Sequence, residues 1–326
     1  MACGGEVEPP LRFALLSGGR SNLTYQVTDQ GGRSWALRRP PLHGVLASAH
    51  DMAREYRIIA ALGSTGVPVP KAMGLCEDEE INGAPFFVMD FVDGMVLRTA
   101  AESAQRLDER QRRATSEQLV DTLVTLHEVD PDAVGLGTLG RREGYVARQL
   151  RRWHGQWQQV RTRDLPLMDE VHARLTASVP AQQGCVIAHG DYRLDNVILW
   201  PGGQVAGVVD WELCTLGDPL ADLATLQVYW ADPDEGWSVL PGAPTAVKGF
   251  MRRDEIAQRY AARSGRDLSD LERYKAFAYW KLACILEGVY SRHRSGAYGA
   301  VDGDIEAFGA SVSLLAEAAA AALSRA

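Results

Sequence analysis

Two oxygen-bearing side chains, Asn196 and Asp210, flank a segment that reads as a β-hairpin. Its strands are expected at Val197–Trp200 and Val205–Val209, joined by Pro201-Gly202-Gly203-Gln204, which has the turn chemistry a hairpin needs. Asn196 precedes the first strand and Asp210 follows the second, so antiparallel pairing brings them together, paired positions lying roughly 5 Å apart. An amide oxygen and a carboxylate at that spacing suit a hard cation such as Mg²⁺, which takes few protein ligands alongside phosphate oxygens. Five residues before Asn196 stands Asp191, behind His189 and Gly190 on the loop that enters the same hairpin. A carboxylate near the metal but not on it is placed to orient a substrate hydroxyl and accept its proton.

These residues need a framework. The first ninety residues read as strands around one helix: Arg12–Leu16, Thr24–Thr28 and Trp35–Arg38 are strand-like runs, with Gly18-Gly19 and Gly31-Gly32 at the turns. Leu46–Leu62 has a helical period through Ala49, Met52, Ala53, Tyr56, Ile59 and Ala60, ended by Gly63–Gly66. After Val67-Pro68-Val69-Pro70, an extended link, Lys71–Cys76 and Pro85–Val92 form a hairpin pair that Asp93-Gly94 breaks. Beyond the break, helices are expected over 104–129, 141–163, 167–178, 217–230, 244–264, 268–294 and 304–325, with the 197–209 hairpin the one exception. The expected class is α+β in two lobes, a small sheet-rich N-lobe over residues 1–92 and a larger, mainly helical C-lobe over 93–326.

Composition narrows the function. A chain of 326 residues exceeds one ordinary core, and 46% hydrophobic residues suits a folded protein. With 34 basic and 42 acidic residues the net charge is −8, which argues against a general nucleic-acid binder. Five cysteines without C-x-x-C spacing suggest neither a disulfide framework nor a zinc knuckle and fit the cytoplasm. Residues 1–12 lack the basic start and apolar run of a signal peptide, and no eighteen apolar residues run unbroken, so neither export nor a membrane span is expected.

The run His189-Gly190-Asp191-Tyr192-Arg193-Leu194-Asp195-Asn196, with Asp210-Trp211-Glu212 beginning nineteen residues after Asp191, resembles the catalytic loop and metal segment of the aminoglycoside phosphotransferase family. These small-molecule kinases share the bilobal protein-kinase-like fold and are related to choline kinases. The resemblance implies ATP and Mg²⁺ as cofactors, Asp191 as catalytic base, Asn196 and Asp210 as metal ligands, and a small-molecule hydroxyl as acceptor. Ser17–Asn22 is similar to the family's nucleotide-phosphate loop, where Gly18, Gly19, Ser21 and Asn22 would bring backbone N–H groups to phosphate oxygens. Arg38 stands where the family usually carries a phosphate-binding lysine; arginine keeps the charge but is bulkier and less adaptable. Glu55 is its expected partner. Phe86–Gly94 is similar to the family's hinge, with Met89 at the gate and the backbones of Asp90 and Val92 facing the adenine edge. In the family-like run Gly217–Ala224, Pro219 suits a first helical turn capped by Asp218, while Asp222 and His189 are expected to be structural hydrogen-bonding residues. His127 follows a Leu119–Leu123–Leu126 stripe and is expected to be a satisfied core or helix-end residue.

Two features bear on the acceptor in opposite directions. Seven arginines (141, 142, 148, 151, 152, 161, 163) against one acid, Glu143, would draw an anion, although a solvated helix face gives the same pattern. Trp230, Asp232, Asp234, Glu235 and Trp237 form an acidic aromatic stretch that would suit a polyamine sugar or simply a surface loop. Gly-Gly-Arg-Ser-Asn-Leu-Thr-Tyr, Leu-Arg-Arg-Pro-Pro and His-Gly-Asp-Tyr-Arg-Leu-Asp-Asn are similar to a branch of the family associated with acyl-CoA dehydrogenases. That branch implies a hydroxy acid or hydroxyacyl-CoA acceptor, whereas the family name implies an aminoglycoside. Arg38 in place of lysine keeps a nucleotide-binding pseudokinase as a further alternative, against which Asp191, Asn196 and Asp210 together weigh.

Overall fold

A computed structural model describes residues 7–16, 22–41, 51–235, 238–239, 242–294 and 305–326. Five antiparallel strands, β1 (Arg12–Leu15), β2 (Leu23–Thr28), β3 (Ser34–Arg39), β4 (Ala72–Cys76) and β5 (Phe86–Asp90), form one sheet in the order β1-β2-β3-β5-β4. The β2–β3 turn closes where the Asp29 carboxylate accepts from the Arg33 N–H and Gly32 takes φ +86°. The resulting register sets Thr24 opposite Arg38 on one side and Phe87 opposite it on the other.

Between β3 and β4, α1 (Met52–Leu62) is capped by Asp51, whose side chain accepts from the Arg54 N–H. Its buried stripe is Met52, Glu55, Ile58, Ile59 and Leu62, rotated from the face the apolar pattern predicts: Ala60 is exposed, and a glutamate lies inside the stripe. The expected start of this helix falls on residues 46–50, outside the described residues. A one-turn helix, α2 (Glu79–Asn82), links β4 to β5.

The rest is mainly helical: α3 (Ala100–Arg106), α4 (Glu109–Glu128), α5 (Tyr145–Val160), α6 (Pro166–Ala177), α7 (Pro219–Tyr229), α8 (Arg253–Ser264), α9 (Leu271–Arg294) and α10 (Ile305–Leu323). Two small sheets interrupt it. β6 (Val186–Ala188) pairs with β9 (Thr215–Gly217), and β7 (Val197–Leu199) pairs with β8 (Val205–Val208). The 197–209 hairpin is thus not the one exception to helix; strands of three residues are too short to show a period of two.

Two helices differ from the sequence pattern for local reasons. The single helix expected over 104–129 is divided because Asp108 and Gln111 form a capping box, with side-chain to N–H distances of 2.7 and 2.8 Å, which starts α4 afresh. The helix expected from 244 starts only at Arg253. Gly249 before it has φ +104°, and an added Cβ would lie 2.7 Å from the Glu109 backbone, so the chain passes too close to α4 to coil.

One hydrophobic core runs through both parts, from Ile58 and Phe87 to Trp157, Trp211 and Trp280, each fully buried. The tail helix α10 is long and apolar enough to cross a membrane by length and composition alone. Here its buried face of Val312, Leu315, Ala316, Ala319 and Ala322 packs on α9 and α6.

Candidate active site

The chain leaves β6 into His189-Gly190-Asp191, whose backbone groups are bonded by side chains from α7, α9 and the loop itself. Asp222, in the first turn of α7, accepts from the His189 and Gly190 N–H groups at 2.6 and 2.8 Å. The Asp191 N–H reaches His189 Nδ1 at 3.3 Å, and the Asp191 carbonyl accepts from Asn196 Nδ2 at 2.9 Å. Lys281 from α9 donates to the Gly190 carbonyl at 2.9 Å. Gly190 has φ +84°, and a Cβ there would lie 2.7 Å from the Leu213 carbonyl oxygen, so only glycine lets the loop turn at this point.

Asp222 is itself secured. It is buried, with His127 Nε2 at 3.4 Å, while His127 Nδ1 meets the Tyr260 hydroxyl at 2.7 Å. Burial alone would raise its pKa; the His127 hydrogen bond, the His127 and His189 imidazoles and the Gly190 N–H outweigh that and hold the carboxyl below its ordinary range. His127 is the satisfied core residue that its stripe predicts. His189 Nε2 lies 3.1 Å from the Val209 carbonyl, and its ring packs on Trp211, so it serves as a structural link between the two halves of the site.

The hairpin does what its sequence implies: the Val209 N–H donates to the Asn196 carbonyl at 2.9 Å, which sets Asp210 beside Asn196. Asn196 also gives its amide N–H to Asp191 Oδ2 at 3.0 Å, leaving the amide oxygen directed elsewhere. Asp210, with φ +68°, is the one non-glycine among the described residues with a left-handed backbone, a conformation Asp tolerates better than most. An amide oxygen and a carboxylate at neighbouring positions of one hairpin end are the donor types a hard cation takes alongside phosphate oxygens and water. Burial pushes the Asp191 carboxyl above its ordinary range, with Arg193 and Lys281 opposing. Arg193 lies 3.4 Å from both Asp191 and Asp195 and stacks 4.5 Å over Tyr229.

Arg38 joins the sheet to this site. Its Nε donates to Glu55 at 3.0 Å, Nη1 to the Thr24 hydroxyl at 3.3 Å and Nη2 to Asp210 Oδ1 at 2.5 Å. Burial opposes the charged guanidinium, but Glu55 and Asp210 outweigh it and strengthen its hold on the proton. Glu55 is 2% exposed, so it is not a solvated helix charge; burial raises its pKa and Arg38 pulls it back. Asn22 sends its amide to Glu212 at 3.2 Å, and Arg54 donates to the Cys214 carbonyl at 2.5 Å. Gly18, Gly19 and Ser21 lie outside the described residues. Met89 is buried on β5 opposite Ala36, and the Asp90 N–H bonds to the Lys71 carbonyl, which takes that donor away from any nucleotide. Val92 accepts from the Gly94 N–H at 3.0 Å.

On the acceptor question the structure divides the arginines. Arg142 pairs with Asp132, Arg161 with Asp169 and Arg163 with Glu287. Among the described residues Arg141, Arg148, Arg151 and Arg152 make no ion pair, and all four gather around the first turns of α5. Trp230 is buried, its indole N–H on the Met251 carbonyl, while Asp232, Asp234 and Glu235 pair with Arg252 and Arg253, Asp234 and Glu235 remaining exposed. Trp237 lies outside the described residues.

Lys281, Thr24 and Arg193 escaped the sequence reading. Thr24 follows from the β2–β3 register, and Lys281 had a visible signal, a lone charge within Ala276-Phe-Ala-Tyr-Trp-Lys-Leu-Ala-Cys284.

Comparison with known proteins bears on all of this. The model of a phosphotransferase enzyme family matches residues 12–277. The chain is 34% identical to mouse acyl-CoA dehydrogenase family member 10 over 300 residues, covering 88% of this chain and 27% of that protein. It spans between about a quarter and two fifths of the curated relatives of this kind. It is 27% identical to an aminoglycoside 3'-phosphotransferase of Streptomyces fradiae, over 74% of this chain and 86% of that one. A Ralstonia eutropha crystal structure assigned to the aminoglycoside phosphotransferases superposes with a TM-score of 0.83 at 31% identity, covering 99% of this chain and 95% of the other.

Proposed function

The chain belongs to this phosphotransferase family, and from that premise we propose that it is an ATP-dependent kinase that phosphorylates the hydroxyl of an anionic small molecule, a hydroxy acid or its CoA thioester. The observation that carries the reading is the convergence at Asp191: a carboxylate tied to Asn196, one hairpin rung from Asp210, with Arg38 reaching Asp210 from the sheet. Asp191 accepts the acceptor's hydroxyl proton as the oxygen attacks the terminal phosphorus, the bond to the bridging oxygen breaks, and ADP leaves. Asn196 and Asp210 would hold Mg²⁺, which when bound neutralises charge on the phosphate oxygens. Arg38, fixed by Glu55 and Thr24, supplies a cation on the sheet side. The phosphate loop would be Gly18, Gly19, Ser21 and Asn22, with Met89, Asp90 and Val92 along the base. We place the lobe boundary at 92/93 and the protein in the cytoplasm, in keeping with its unpaired cysteines 76, 185, 214 and 284.

The anionic acceptor is supported by Arg141, before α5, and Arg148, Arg151 and Arg152, within it, which make no ion pair among the described residues, and by the kinship with acyl-CoA dehydrogenase family proteins. A screen of hydroxy acids, hydroxyacyl-CoAs and aminoglycosides by phosphate-transfer mass spectrometry tests it. Neutralising Arg148, Arg151 and Arg152 together should raise KM for the anionic acceptor, and rising salt should do the same because screening acts over about 8 Å at physiological strength. KM for ATP should change little. Salt-insensitive phosphorylation of kanamycin-like sugars with no transfer to any hydroxyacyl compound refutes the anionic choice. ATP binding with no transfer to any acceptor and no ATPase activity returns the pseudokinase.

A further inference from the structure

Lys281 is a charged residue in the wall of an apolar helix. It is 9% exposed, lies between Trp280 and Leu282 in α9, and its ammonium sits 5.9 Å from the Trp153 ring centroid of α5. A methionine of similar length would fill this slot without desolvating a charge, so packing alone does not call for lysine. Among the described residues its one hydrogen-bond partner is the Gly190 carbonyl at 2.9 Å. The N–H of the same residue is held by Asp222 at 2.8 Å. Gly190 is therefore gripped through both backbone groups by opposite charges from α7 and α9, on the residue immediately before Asp191. Charge-assisted hydrogen bonds are stronger and shorter than neutral ones. The grip acts where it is most needed, because the left-handed Gly190 backbone has no side chain to fix its own rotation.

We propose that Lys281 is a positioning residue for phosphoryl transfer: with Asp222 it clamps the Gly190 peptide so that Asp191 faces the acceptor hydroxyl. The catalytic part of this inference rests on the reading of Asp191 as the proton acceptor; the clamp itself does not. Lys281 makes no hydrogen bond or ion pair to Arg38, Asn196 or Asp210 among the described residues, so its loss should slow transfer and largely spare nucleotide affinity.

The experiment compares the full chain with Lys281→Met and Lys281→Ala. Hydrogen–deuterium exchange should quicken at the Gly190 and Asp191 amides, within residues 189–193, in both variants, while α7 and α9 keep their protection. The turnover number should fall about 10–100-fold, the order expected for a small misplacement of a reacting group, with the nucleotide Kd essentially unchanged. Ethylammonium added to Lys281→Ala should restore several-fold of the lost rate and the slow exchange, and ethanol should not. Unchanged exchange across 189–193 in both variants overturns the clamp whatever the rates. Loss of protection throughout α9 without ammonium rescue also overturns it, since Lys281 would then be a packing residue. A loop that loosens locally in a protein whose unmutated form phosphorylates no acceptor supports the clamp and refutes the kinase reading instead.

Discussion

Replacing Arg38 by alanine tests the junction between sheet and site most directly. Its three guanidinium nitrogens serve Glu55, Thr24 and Asp210, and of these partners Glu55 is the most deeply buried. Removing the cation leaves a buried carboxylate unpaired, a change that costs about 3–5 kcal/mol in buried pairs. The variant can relieve part of that by protonating Glu55, each unit of upward pKa shift corresponding to about 1.4 kcal/mol. With Arg38 gone, burial is opposed only by the Trp211 N–H, and the folded-state pKa of Glu55 rises further above its unfolded value. The folded state then binds the proton more tightly, so stability falls as pH rises past the unfolded pKa of about 4.3 and goes on falling to the folded pKa. Urea unfolding at about pH 5 and about pH 8 should therefore show a deficit that widens with pH. Adding Glu55→Gln should flatten the pH dependence and recover a large part of the loss. A deficit below about 1 kcal/mol at both pH values, as for an exposed pair, refutes the reasoning. Arg38→Lys should fall between, since one ammonium cannot reach three partners spread around a planar fork.

Other outcomes follow from the same geometry. Asp191→Asn should lower turnover about 10²–10⁴-fold with nucleotide affinity nearly unchanged, and near-normal turnover on a verified acceptor would refute its role. Asp210→Ala should abolish the Mg²⁺-dependent part of the thermal shift given by ATP; a crystal structure with Mg²⁺ and nucleotide in which neither Asn196 nor Asp210 approaches the ion would count against both. Gly94→Ala should destabilise by about 1–3 kcal/mol, because its Cβ would lie 2.5 Å from Ile198 Cγ2 and 2.6 Å from the Leu199 carbonyl. Met95, the next residue, exchanges both backbone hydrogen bonds with Leu199 at 2.8 Å, and an unchanged melting temperature would show that this bridge gives way freely.

The parts of the site visible in the sequence are those fixed by local rules. Asn196 and Asp210 come to the same end of the hairpin through its Pro-Gly-Gly turn, which is readable in the sequence, although the register shift between Ile198 and Leu199 is not, and Asn196 bonds to Val209, the residue before Asp210. The parts that stayed hidden depend on tertiary choice. Apolar periodicity alone put the buried face of α1 one position off, since it gives no weight to a glutamate that is buried only because Arg38 waits opposite. β6 and β9 are defined by each other, 27 residues apart at their closest aligned ends, rather than by any period of their own. The Asp108–Gln111 box was present in the letters but was masked by the continuous helical pattern around it.

Three polar ties from the sheet side end within five residues of chain: Arg38 on Asp210, Asn22 on Glu212 and Arg54 on the Cys214 carbonyl. The loop at 189–196 is secured differently, from α4, α7, α9 and the hairpin that follows it. The two segments therefore differ in how freely they can be inherited with change. In 210–214 the seating of the two halves hangs on the side chains of Asp210 and Glu212, and if Asp210 also holds a metal, as proposed, a tolerated substitution there must satisfy both demands at once. Around 189–196 the supports are spread over separate helices, so a lineage can alter one support at a time while the others, and the seating of the sheet, are passed on intact.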